Sequence, residues 1–212
     1  MSEHVILLHG LWMRGFALGL LHRRLMAEGY RVHRFDYLSV AMPQADILGR
    51  LHVRMRALAP GPVHLVGHSL GGLLALRACQ DTPGLPPGRI VCLGSPLKGS
   101  AAARAFARLG RAGEALLGGN RDLLERGFER WDGAREVGVI AGRVPLGLGA
   151  MVGQLEGEHD GTVAVAETRL PGITDHVVVE ASHLGLLFSQ EAAMLATRFL
   201  RHGRFAAAPG EG

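Results

Sequence analysis

The residues most able to do chemistry lie in Gly67-His68-Ser69-Leu70-Gly71-Gly72, between an apolar run that reads as a strand and one that reads as a helix. Val63-His64-Leu65-Val66 is short, rich in β-branched residues and preceded by the breaker pair Gly61-Pro62, which predicts a buried strand. Leu70 to Cys79 carries Leu73, Leu74, Leu76 and Ala78 without a breaker, which predicts a helix with a buried face. A serine on so sharp a strand-to-helix turn adopts a strained backbone, and glycine two places to either side lets the chain pack that closely. The strain lifts the hydroxyl clear of the sheet, where it can attack a carbonyl. A glycine-rich turn with Ser69 as an ordinary helix N-cap would carry the same letters. What separates the two readings is whether the chain supplies the other parts a serine nucleophile needs.

The first part is a base, because a neutral hydroxyl is a poor nucleophile and histidine is the usual proton acceptor at neutral pH. Of the eleven histidines, His4, His64 and His176 fall inside or at the start of predicted strands, and His22, His33, His52 and His202 on outer faces. His183 stands apart: it follows the last predicted strand in Ala181-Ser182-His183-Leu184-Gly185, where a loop can aim it at the carboxyl edge of a sheet. The second part is a carboxylate that fixes the tautomer of the base and stabilises its imidazolium. Asp160, in the Asp-Gly turn His159-Asp160-Gly161-Thr162-Val163, is favoured over Glu158, Asp175 and Asp36 because it gives the chain order Ser, Asp, His. An Asp-Gly turn also forms for local reasons alone. The third part is a pair of backbone donors for an oxyanion. Leu70 N–H follows the serine at a helix N-terminus, and Leu11 N–H is offered by His9-Gly10-Leu11, just after the first predicted strand. Trp12 and Met13 either line a substrate pocket or cover the sheet edge.

Positioning these groups needs a sheet. Apolar strands are predicted at His4 to Leu8, Tyr30 to Asp36, Val63 to Val66, Arg89 to Leu93, Glu136 to Ala141 and His176 to Glu180. Between them lie amphipathic helices over Gly15 to Gly29, Pro43 to Ala59 and Leu70 to Cys79, with a closing helix from about Ser189 to Arg201. From Gly99 to Trp131 short Ala, Leu and Arg helices broken by glycine read as an insertion over the active-site edge, and Gly142 to Gly157 as a glycine-rich excursion. Strands alternating with helices in this way call for right-handed crossovers, a mainly parallel sheet in a three-layer α/β/α sandwich, and ligands at the carboxyl ends of the strands. One domain over residues 1–203 with a flexible tail over 204–212 is expected.

Composition narrows the classes. The 212 residues carry 23 Lys and Arg against 19 Asp and Glu, a net charge of +4, but the basic residues, all arginine except Lys98, form no stripe with interleaved aromatics. Nucleic-acid binding is not expected. Charges interrupt every stretch long enough to span a bilayer, and the opening Met1-Ser2-Glu3-His4 leads straight into a strand, so a soluble, cytoplasmic protein is expected. Cys79 and Cys92 fall at predicted buried positions as small hydrophobes, and no ligand-spaced Cys/His cluster or phosphate-binding loop implies a metal or cofactor.

Val5 to Leu11, Gly67 to Gly72, Gly94-Ser95-Pro96, Asp160-Gly161-Thr162-Val163 and His183 together make the chain resemble a small α/β-hydrolase, similar to compact bacterial lipases and esterases. The resemblance spans nearly the whole chain in the order of that family. It implies Ser69, Asp160 and His183 as a catalytic triad, Leu11 and Leu70 as oxyanion donors, and cleavage of a carboxylic ester or lipid through an acyl-enzyme without a cofactor. The modest insertion, with no long lid, argues against interfacial activation. A thioesterase or acyltransferase would use the same residues, and a non-catalytic binding protein could share the scaffold.

Overall fold

The computed structural model describes residues 3–146 and 155–206. Six strands, β1 (His4–Leu8), β2 (Arg31–Phe35), β3 (Val63–His68), β4 (Ile90–Leu93), β5 (Val137–Gly142) and β6 (Asp175–Val179), form one sheet in the order β2-β1-β3-β4-β5-β6. Every neighbouring pair is parallel. The order reverses between β1 and β3, because the chain runs outward to β2 and then returns across β1. Ligands of open parallel sheets bind at such a reversal, beyond the carboxyl ends of the strands.

Both faces of the sheet are covered, so the inner strands β1, β3, β4 and β5 are buried at nearly every position rather than alternately, whereas edge strand β2 carries Arg31, His33 and Arg34 and buries only Phe35. Along β1, Ile6 and Leu8 join the cluster on one face, with Ile47 and Leu51 of α2 (Gln44–Ala57) and Leu73 and Leu76 of α3 (Leu70–Cys79). Val5 and Leu7 join the cluster on the other face, with Leu21 and Leu25 of α1 (Gly19–Ala27) and Phe199 of α9 (Gln190–His202). Each such side chain, fully withdrawn from water, stabilises the fold by about 1.5–3 kcal/mol. Cys79 and Cys92 are free and buried within the first cluster, and burial pushes the Cys79 thiol up to about 11.

The helices lie close to where the periodicity puts them, and their ends shift for local reasons. The first begins as a 3₁₀ turn over Gly15–Leu18. The last starts at Gln190, one residue later than expected, since Ser189 caps it by accepting the Ala192 N–H at 3.1 Å. β3 runs two residues past Val66, since Gly67 and His68 still pair with Cys92 and Leu93. Between β4 and β5 stand α4 (Ala101–Ala107), α5 (Arg111–Leu117) and α6 (Arg121–Arg126), within the expected insertion. Short helices α7 (Val165–Thr168) and α8 (Gly185–Phe188) were not legible in the pattern. Part of the expected glycine-rich excursion, 147–154, and of the expected tail, 207–212, lies outside the described residues. No helix among the described residues is long and apolar enough to cross a membrane.

Candidate active site

Ser69 occupies the junction of β3 and α3 with φ +55° and ψ −121°, a region that side chains other than glycine rarely adopt. The flanking glycines are required by contact. A Cβ at Gly67 would lie 2.3 Å from the backbone of Gly71 and Gly72, and one at Gly71 would lie 2.3 Å from the Leu8 carbonyl oxygen. The Ser69 side chain makes no N-cap bond to α3, whose Gly72 N–H donates instead to the Ser69 carbonyl at 3.1 Å, so the hydroxyl is left to the cavity above it.

Asp160 and His183 meet beside that cavity. His183 Nδ1–H donates to Asp160 Oδ2 at 2.7 Å, and the carboxylate is 1% exposed. Its other oxygen accepts the N–H groups of Thr162 at 2.9 Å and Val163 at 2.7 Å, so the Asp-Gly turn fixes the carboxylate before the histidine arrives. The His183 N–H donates to the Asp160 carbonyl at 2.8 Å, tying the two loops a second time. With Nδ1 carrying the proton, Nε2 presents a lone pair. Gly94, at the end of β4 with φ +53°, leaves the space this pair needs: a Cβ there would be 3.0 Å from Asp160 Oδ2 and 3.2 Å from His183 Nδ1. The rival carboxylates are engaged elsewhere. Asp36 pairs with Arg14, whose hydrogen bonds hold its carboxyl well below the usual range; Asp175 accepts the Phe205 N–H; and exposed Glu158 faces Arg143.

The loop after β1 is built from buried polar groups. His9 Nδ1–H donates to the Gly10 carbonyl at 2.9 Å, and His9 Nε2 accepts the Tyr37 N–H at 3.4 Å. The Tyr37 hydroxyl donates to the His9 carbonyl, and the two rings stack 4.0 Å apart. Burial lowers the His9 pKa, against the nearby Asp36 carboxylate, which raises it. This frame leads into Leu11. Among the described residues neither Leu11 N–H nor Leu70 N–H has an acceptor.

Ser69 and His183 line one cavity of about 400 Å3, large enough for a drug-sized ligand. Trp12 and Met13 both line it, together with Phe106, Leu117, Leu124 and Val163. Trp12 also joins the β1 loop to the helices above: its indole N–H donates to the Leu116 carbonyl at 2.9 Å, and its ring meets Phe106 edge-on at 5.6 Å. No Asp, Glu, Lys or Arg lines the cavity among the described residues. Sequence reading did not single out His9, Tyr37, His68 or Gly94 as site residues. The only local signal is that His9, His68 and Gly94 stand inside His9-Gly10-Leu11, Gly67–Gly72 and Gly94-Ser95-Pro96.

Comparison with known proteins agrees with this fold. A model of the alpha/beta hydrolase family matches residues 5–200. A pyrethroid hydrolase of Sphingobium wenxiniae is 33% identical over 45% of this chain and 43% of its own, so the match spans less than half of that relative. The mature lipase BlEst2 of Bacillus licheniformis superposes with a TM-score of 0.70 at 18% identity, covering 95% of this chain and 92% of that one. A pyrethroid hydrolase of Sphingobium faniae superposes at 0.64 and 18% identity over 95% and 98%. At that identity the structural likeness speaks to the fold alone.

Proposed function

Because the chain belongs to the alpha/beta hydrolase family, we propose that it is a serine hydrolase of neutral, apolar carboxylic esters acting through an acyl-enzyme. The observation that carries this reading is that Ser69, raised on a strained turn, faces the same apolar cavity as a His183 whose Nδ1–H is held by buried Asp160. In the proposed sequence Ser69 Oγ attacks the ester carbonyl while His183 Nε2 takes the hydroxyl proton. The oxyanion forms between the N–H groups of Leu11 and Leu70, whose dipoles are fixed before substrate arrives. Collapse of the tetrahedral intermediate breaks the bond to the alcohol, which leaves with the proton from His183. Water then repeats the sequence on the acyl-enzyme and releases the carboxylic acid.

An uncharged cavity favours substrates that are neutral on both sides of the scissile bond, since a charge buried there would find no partner. A pyrethroid, named for two of the similar proteins, meets that requirement. The same reading makes residues 1–203 one catalytic domain with α4–α6 over the site. The test is turnover of p-nitrophenyl esters of increasing acyl length, run beside a pyrethroid and acyl-CoA thioesters. Neutral esters of medium length should be cleaved best, and Ser69→Ala should abolish their turnover. Cleavage of acyl-CoA alone would replace the ester reading with a thioesterase one.

A further inference from the structure

One fully buried imidazole at the site has no role in those steps. His68, the last residue of β3, is 1% exposed, and its ring centroid lies 4.6 Å from that of His183. Its Nε2–H donates to the backbone carbonyl of His183 at 2.9 Å. Its Nδ1 is buried without a hydrogen-bond partner among the described residues, next to Gly10. A structure seldom leaves a buried polar atom unpaired unless the arrangement serves something else. A leucine would fill the space without that cost, so what the imidazole provides is the single bond from Nε2.

From this geometry we infer that His68 is a positioning residue for His183, fixing the peptide that carries the base; this rests on the reading of Ser69 and His183 as nucleophile and base. The His183 backbone is then held at both polar groups, its N–H by the Asp160 carbonyl at 2.8 Å and its carbonyl by His68 at 2.9 Å. Its side chain is held at Nδ1 by Asp160. The clamp on the base and the nucleophile are consecutive residues. A shift of the end of β3 therefore carries Ser69 and the anchor of His183 together, and their separation is preserved although 113 residues of sequence stand between Ser69 and His183. Burial holds the His68 ring down to about 3, so it stays neutral and keeps one tautomer wherever His183 works as a base.

The test uses three variants chosen for where they place a donor. A glutamine amide nitrogen reaches about as far as imidazole Nε2, an asparagine amide only as far as Nδ1, and leucine offers none. With p-nitrophenyl butyrate, His68→Leu and His68→Asn should lower kcat by about 10- to 100-fold, the scale of a misplaced catalytic group, with KM within about twofold. His68→Gln should recover most of kcat. A merely structural role would give losses that follow thermal stability and no rescue by glutamine. Wild-type kcat in a folded His68→Leu protein, or glutamine no better than asparagine, would overturn the inference; the second comparison decides even where the leucine variant fails to fold. Failure of the underlying reading looks different: wild-type turnover would then survive Ser69→Ala.

Discussion

His183 Nδ1 lies 2.7 Å from Asp160 Oδ2, and the carboxylate that receives it is already held by two backbone N–H groups of its own turn. Asp160→Asn keeps the size of the side chain but sets an amide against the ring. If its NH2 faces His183, the imidazole must carry its proton on Nε2, where it cannot accept one from Ser69. Esterase kcat should fall by roughly 10³- to 10⁴-fold, and a pre-steady-state burst should disappear with it. A loss under tenfold would place the tautomer control elsewhere.

Ser69 bears the backbone strain of the turn, and strain of this kind costs about 1–3 kcal/mol. Ser69→Gly removes the strained Cβ along with the hydroxyl, so it should abolish turnover while raising Tm by roughly 2–4 °C, equivalent to about 1 kcal/mol. Ser69→Ala keeps the Cβ and should abolish turnover with Tm nearly unchanged. Paired melting curves check the difference.

Gly94 gives the Asp160–His183 bond its room. In Gly94→Ala the added methyl would press on Asp160 Oδ2 and His183 Nδ1 from a backbone that alanine tolerates poorly. Activity should drop by about 10²-fold and stability by about 1–2 kcal/mol. Crystallography of the variant should show a lengthened Asp160–His183 contact.

Burial pushes His68 down to about 3 and His176 to about 4, against about 6.5 in an unfolded chain. Below pH 6.5 the unfolded chain therefore binds protons that the folded one does not, and folding stability is lost as pH falls through that window. For His68 the loss approaches about 1.4 kcal/mol per pH unit. His68→Gln cannot take up this proton, so the stability gap between wild type and variant should narrow by about 2–3 kcal/mol from pH 6.5 to 4.5 in urea unfolding. A constant gap would show that His68 is already protonated in the fold.

The parts legible in the sequence are those with local causes. The glycines around Ser69 are demanded by the turn they make, and Asp160 sits in an Asp-Gly pair whose geometry is set within four residues. The inner strands are legible because a sheet covered on both faces needs apolar runs there, as in Ile90–Leu93. What escaped were groups whose meaning depends on distant partners. His68 reads as one letter of a serine motif until the loop carrying His183 closes over it, and His9 gains its role only when Tyr37 stacks on it. The choice of Asp160 over Asp36 rested on chain order; in the structure Asp36 proves to be bound to Arg14 instead.

The most direct measurement is reaction of the folded protein with a fluorophosphonate, followed by mass spectrometry of its peptides. The expected result is one adduct, on Ser69, formed far more slowly in His183→Ala and absent in Ser69→Ala. An unmodified Ser69 in folded wild-type protein, or an adduct on another residue, would contradict its assignment as the nucleophile.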